Sequence, residues 1–226
     1  MAKMGCGYGS ECHLLRFLGR HRHELDKRIQ AVVGGDSIDW EDFRFNANET
    51  WPDAELKGLS FLPQNHPAHA AWKQWWPQRG GIHNWDAVGQ IRLGGVEEWL
   101  LVEAKANLQE LWSDCRASPR GGLGKIQRAF GETKQALGVP EDRDWLHGYY
   151  QYCNRVAALY FLNVYGVPAR LLCIYFTCDK GDSGRTCPKN EEGWQESLRA
   201  QGEHVGLPGG HILEARMHKM FLPIVL

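Results

Sequence analysis

Residues 84–105, NWDAVGQIRLGGVEEWLLVEAK, can bring two carboxylates and an amine onto one small patch. Two apolar runs flank Gly94-Gly95, and a two-residue glycine link between such runs signals a β-hairpin. With that link as the turn, paired positions sum to 189. Asp86 then lies opposite Glu103, and Arg92 faces Glu97 as an opposite-charge pair that supports the register. Side chains alternate along a strand, so Lys105 projects from the same face as Glu103. Like charges set opposite each other destabilise a sheet unless something offsets them, and a divalent cation is the simplest offset. The plain alternative is that Glu103 and Lys105 are solvent-facing charges on a half-exposed strand.

The elements around the hairpin follow from capping and periodicity. Ser10 is placed to cap a helix running to about Val33, ended by Gly34-Gly35. Residues 35–56 are acidic, with seven carboxylates against Arg44, and read as an irregular solvated insertion. Pro67 opens a short tryptophan-rich helix over 68–76, closed by Pro77. Asn107 and Glu110 form a capping-box-like pattern for a helix with Leu108, Leu111, Trp112 and Cys115 inward. The loop 116–125, RASPRGGLGK, leads into a helix carrying Ile126, Phe130, Thr133 and Leu137 on one side. A further helix is expected over 142–164. Residues 170–177, RLLCIYFT, read as a central strand. A helix over about 191–201 and an edge strand containing Pro223 complete the chain. Helix, strands, helices and strand in that order predict one α/β domain over residues 1–226, with helices on both faces of a mixed sheet.

Bulk properties narrow the class. The 226 residues are 43% hydrophobic and 23% charged, which excludes wholesale disorder. Net charge is −1, so a nucleic-acid partner must be held by local basic patches. No apolar run approaches the ~18 residues of a membrane span, and the first ten residues lack the apolar segment of a secretory signal. The seven cysteines lack CxxC spacing and read as reduced thiols of a cytoplasmic protein, with Cys178 and Cys187 close enough in sequence to bridge.

Asp86 with Glu103-Ala104-Lys105, in D-x16-E-x-K spacing inside a hairpin among helices, resembles the PD-(D/E)XK nuclease superfamily, the restriction-endonuclease-like fold. The similarity in element order runs from about Ser10 to Thr177. Trp85 stands where the superfamily often has proline. The resemblance implies metal-dependent hydrolysis of phosphodiester bonds, in DNA ahead of RNA. Mg2+, with Mn2+ able to substitute, prefers oxygen ligands such as one or two carboxylates plus water. Asp86, Glu103 and the Ala104 carbonyl supply oxygens, and Lys105 would orient or deprotonate the attacking water or neutralise the phosphate. A first-helix glutamate often joins the metal site in this superfamily, which points to Glu11. The bland reading of Glu11 is an acid favoured by the helix dipole.

On the expected 142–164 helix, His147, Gln151, Asn154 and Arg155 form one polar stripe on an otherwise apolar cylinder. The resemblance assigns Gln151 to the reacting centre, and Arg155 and Asn154 to the bound strand; a stripe facing bulk water is the alternative. Arg120 and Lys125, beside the glycines of the 116–125 loop, are further candidates for a phosphate backbone. They serve equally as parts of a linker. Two other functions stay open. One is a nuclease-fold module without catalysis that clamps nucleic acid or a partner protein; the other is an unrelated enzyme acting on a small phosphorylated substrate. The oligomeric state is also open, a homodimer included.

Overall fold

The computed structural model describes residues 9–41, 56–79, 83–180 and 184–224. Its organising element is the hairpin of β4 (Ala87–Leu93) and β5 (Val96–Lys105). Gly94 and Gly95 take φ of 55° and 86°, the left-handed values that a two-residue type I′ turn demands. The register is the expected one: Ala87 pairs with Val102 and Arg92 with Glu97, and the latter two form an ion pair at 2.7 Å.

Three more strands extend the hairpin. β1 (Ile38–Trp40) pairs antiparallel with β4. β6 (Ala169–Thr177) runs parallel to β5, and β7 (Met217–Pro223) runs parallel to β6 at the edge. The order β1-β4-β5-β6-β7 is a mixed five-stranded sheet. β6 is central and almost wholly buried, as its apolar run requires.

Helices cover both faces. α1 (Ser10–Arg20) and α2 (Arg22–Val33) pack Leu14, Phe17, Leu18, Leu25 and Ile29 against Val102, Ala104, Leu172, Ile174 and Phe176. The opposite face, with Leu101, Cys173 and Tyr175, lies under α3 (Ala68–Trp75), α4 (Leu123–Leu137), α5 (Tyr150–Val164) and α6 (Glu192–Val205). Trp72 and Trp76 are buried in this second layer with Phe161 and Phe130 nearby. Their rings are core packing.

Several boundaries differ from the sequence expectation. The first helix bends at His21, where the Arg22 guanidinium caps the Leu18 carbonyl at 2.9 Å. Ser10 is its first residue and Gly9 precedes it without a side-chain cap. Part of the acidic 35–56 stretch is strand β1, and residues 42–55 lie outside the described residues. Asn107 accepts from the Glu110 amide at 3.1 Å and Glu110 from the Ala106 amide at 2.8 Å. That box caps only a single 3-10 turn, Leu108–Leu111. Beyond it the chain pairs with the segment before α5, through Ser113 to Gly148 and Cys115 to Leu146. α5 starts at Tyr150, not near residue 142. Asp144 captures the amides of Leu146 and His147 and the His147 ring, and Gly148 sits at φ 76°; such local bonds compete with a helix. His147 therefore leaves the polar stripe. Cys178 and Cys187 are free thiols, so the possible bridge is not formed. Among the described residues no helix is long and apolar enough to cross a membrane.

Truncating the central strand tests the layering. Leu172→Ala, at a fully buried site, is expected to cost about 2–5 kcal/mol in urea unfolding. Val96→Ala, at an exposed site, should stay within about 0.5 kcal/mol.

Candidate functional site

Glu103 and Lys105 leave β5 on the face covered by α5, and the first two turns of α5 supply their partners. Lys105 Nζ donates to a Glu103 carboxylate oxygen and, at 2.9 Å, to Gln151 Oε1. The second Glu103 oxygen accepts from Arg155 Nε at 2.7 Å. Arg155 also donates to Asn154 Oδ1 at 2.8 Å and to the Asn84 carbonyl, and its guanidinium lies 4.9 Å from the centre of the Trp85 ring. Glu103 and Arg155 are 4% and 3% exposed, so this is a buried ionic network. Such a network survives only when every charge is paired.

Asp86 reaches the group by a different route from the one its spacing suggested. It does not belong to the β4–β5 ladder, which begins at Ala87. Asp86 occupies a bend between β4 and β3 (Asn84–Trp85), and β3 pairs with β2 (Leu56–Lys57) in a separate two-stranded sheet. The Asp86 amide donates to the Val102 carbonyl at 3.1 Å. Its carboxylate turns toward β5 and accepts the Ala104 amide at 2.6 Å. The Trp85 indole fixes the bend by donating to the Gly58 carbonyl at 2.8 Å.

The electrostatics separate the two acids. Burial and then the Glu103 charge push the Asp86 carboxyl up to about 8, with Lys105, the Ala104 amide and Arg155 only partly offsetting them. Glu103 is opposed by its burial, yet Arg155 and Lys105 together hold it below the ordinary carboxylate range. For Lys105, burial works against the charge, and Glu103 and Asp86 more than restore it, so its pKa is raised. Both cations bond directly to Glu103. Asp86 feels them only through space, and is the acid whose charge lacks a counter-ion in contact.

Mg2+ is commonly held by one or two carboxylates with water completing the shell, and Asp86 and Glu103 are the residues of this group that could hold such an ion. Among the described residues no group of three His, Cys, Asp or Glu side chains is arranged to hold a metal.

Gln151, Asn154 and Arg155 thus join Glu103 and Lys105. Glu11 is half-buried on α1, whose apolar side packs against the other face of the sheet. Lys125 donates to the Lys73 carbonyl at the end of α3, at 2.9 Å, and Arg120 is exposed on its loop. Neither bonds to the Glu103 group.

Four participants escaped the sequence reading. Asn84 lends its carbonyl to Arg155. His83 Nε2 lies 2.7 Å from the Asn154 carbonyl, and burial holds this imidazole neutral, with its pKa lowered to about 3. Ser113 Oγ accepts from the Gln151 amide at 2.8 Å. Gln201 of α6, 3% exposed, lines with Glu103, Lys105, Gln151 and Tyr152 a pocket of about 10 Å³, room for about one water. Gln201 alone left a trace, as a polar residue on the inward face that also carries Trp194, Leu198 and Val205.

Replacing Arg155 by Met leaves one buried Glu103 oxygen without its partner, with Lys105 as the remaining counter-ion, and should cost about 3–5 kcal/mol in chemical denaturation. Removing the exposed Arg92–Glu97 pair should cost under about 1 kcal/mol. Asp86 also sets a pH dependence. Between its unfolded value near 4 and its folded value near 8 only the native chain holds the proton, so its contribution to stability falls as pH rises through that window. Asp86→Asn cannot titrate. In chelator-containing buffer its melting temperature should therefore gain on the wild type between pH 5 and pH 9; a constant difference would contradict the assignment. Comparison with protein-family models, curated proteins and solved structures finds no match to this chain.

Proposed function

We propose that the protein is a divalent-metal-dependent nuclease of the PD-(D/E)XK type that hydrolyses phosphodiester bonds, in DNA ahead of RNA. One observation carries the reading: the Asp86 carboxylate, from the bend before β4, is bonded to the Ala104 amide between Glu103 and Lys105, while that lysine is anchored between Glu103 and Gln151. A purely structural ion pair requires Glu103 and Arg155. It does not require a second carboxylate beside them with its pKa driven up.

Asp86 and Glu103 would hold the metal, together with the Ala104 carbonyl. The bound ion would supply charge stabilisation at the phosphate and a lowered pKa for water. The chain's own residues do the rest. Lys105, kept cationic by its neighbours, neutralises charge that builds on the phosphoryl oxygens or orients the attacking water. Gln151 fixes the Lys105 ammonium and offers its amide to the substrate. Arg155 holds Glu103 ionised, and it tethers β5 to α5 so that the lysine and the acids keep their spacing. An ion held by Glu103 would take up part of the carboxylate charge that Arg155 and Lys105 now balance, leaving both cations available to the phosphate.

Cleavage assays on single-stranded and plasmid DNA in Mg2+ or Mn2+ test the reading. Wild type should cut, and chelation should abolish cutting. Lys105→Ala should cut about 10²–10⁴-fold more slowly while keeping the wild-type fold by circular dichroism. No cutting by wild type, or equal cutting by Lys105→Ala, would overturn the proposal.

A further inference from the structure

A cavity of about 470 Å³ opens beside the start of α5, walled by Pro77, Ala117, Ile126 and Tyr150. Its volume falls in the range of small-molecule sites, roughly 300–1,000 Å³. Most of its wall is apolar, yet Arg79 and Arg116 stand on it, and neither makes an ion pair or hydrogen bond among the described residues. Gly122, ahead of α4, forms part of the wall; a Cβ there would stand 2.6 Å from Pro77 Cγ. Glycine at this position is thus a packing requirement.

The cavity is joined to the candidate catalytic group by short covalent and hydrogen-bonded links. Tyr150 precedes Gln151, the residue that holds Lys105. The Tyr150 amide donates to the Ser113 carbonyl at 3.0 Å, and Ser113 Oγ accepts the backbone amide of Gln151 at 2.8 Å. Asp114, which also lines the cavity, uses one carboxylate oxygen on the Gly148 amide at 2.8 Å and retains the other as an acceptor.

We propose that this cavity takes an unpaired nucleobase from the nucleic-acid strand being cut, with Arg79 and Arg116 on the flanking phosphates. The proposal rests on the nuclease reading and adds a preference for single-stranded or flipped-out substrate. A paired base hides its faces in the stack, and only an extruded one can lay them on Tyr150 and Pro77. The guanidinium groups supply the charge complementarity that an apolar hole alone lacks. The free Asp114 oxygen accepts from an exocyclic amine, which favours cytosine, adenine or guanine over thymine.

Fluorescence anisotropy in chelator, where no cleavage occurs, tests the pocket separately from catalysis. The probes are a labelled 12-nucleotide mixed-sequence single strand and the blunt duplex of the same sequence. Wild type should prefer the single strand by about 10-fold or more, the gain expected of one stacked base. The double variant Arg79→Gln/Arg116→Gln should weaken single-strand binding and flatten the salt dependence of log K by about 1.4, two contacts at about 0.7 each. Ala117→Trp, which fills the cavity, should abolish the preference and leave that slope unchanged. Equal affinity of wild type for both probes would overturn the proposal, as would affinities unmoved by either variant. Loss in the arginine variant alone would reduce the site to a phosphate patch and overturn base capture. Should the strand bind through this cavity while wild type hydrolyses nothing in Mg2+, the nuclease reading fails and the pocket stands.

Discussion

The arrangement depends on keeping a carboxylate ionised in the interior. Glu103 is nearly sealed from solvent, and isolated burial of its charge would be prohibitive. Arg155 and Lys105 solve that problem from two elements, the first helical turns of α5 and the end of β5. The same bonds then dictate geometry. α5 cannot slide along the sheet without breaking the Arg155 contacts to Glu103 and Asn84, and Lys105 cannot swing out without leaving Gln151.

Asp86 is the element under tension in this scheme. The chain departs from regular strand at that residue, and the small β2–β3 sheet and the Trp85 indole bond hold the departure in place. The result is an acid bonded to the β5 backbone beside a charge of its own sign, with a raised pKa. Groups whose environments drive their protonation apart cluster where chemistry is done. A divalent ion would relieve the repulsion and bring both acids into the ionised state, which is why a stability defect and a metal site can be one feature.

Much of this was legible in the residues. The Gly-Gly turn and alternation place Glu103 and Lys105 on one face, and helical spacing groups Gln151, Asn154 and Arg155, as their contacts do. The misplacements share a cause. Alternation alone puts Asp86 in a continuous strand, because period-two reasoning does not register a bend held by a distant loop carbonyl, that of Gly58. His147 joined the polar stripe because Asp144 can end a helix pattern locally without any glycine or proline at its own position. Asn107 and Glu110 look like the start of a long helix, and only tertiary pairing of Ser113 and Cys115 with the segment before α5 stops it. Backbone carbonyls such as that of Asn84 have no sequence signature at all.

The most direct measurement is the anomalous density of a crystal soaked in Mn2+. A metal peak within coordination distance of both Asp86 and Glu103, with the Arg155–Glu103 contact lengthened, is the predicted result. A protein that cuts DNA under the same conditions with no peak between those two carboxylates, or with the ion held elsewhere, would contradict the account.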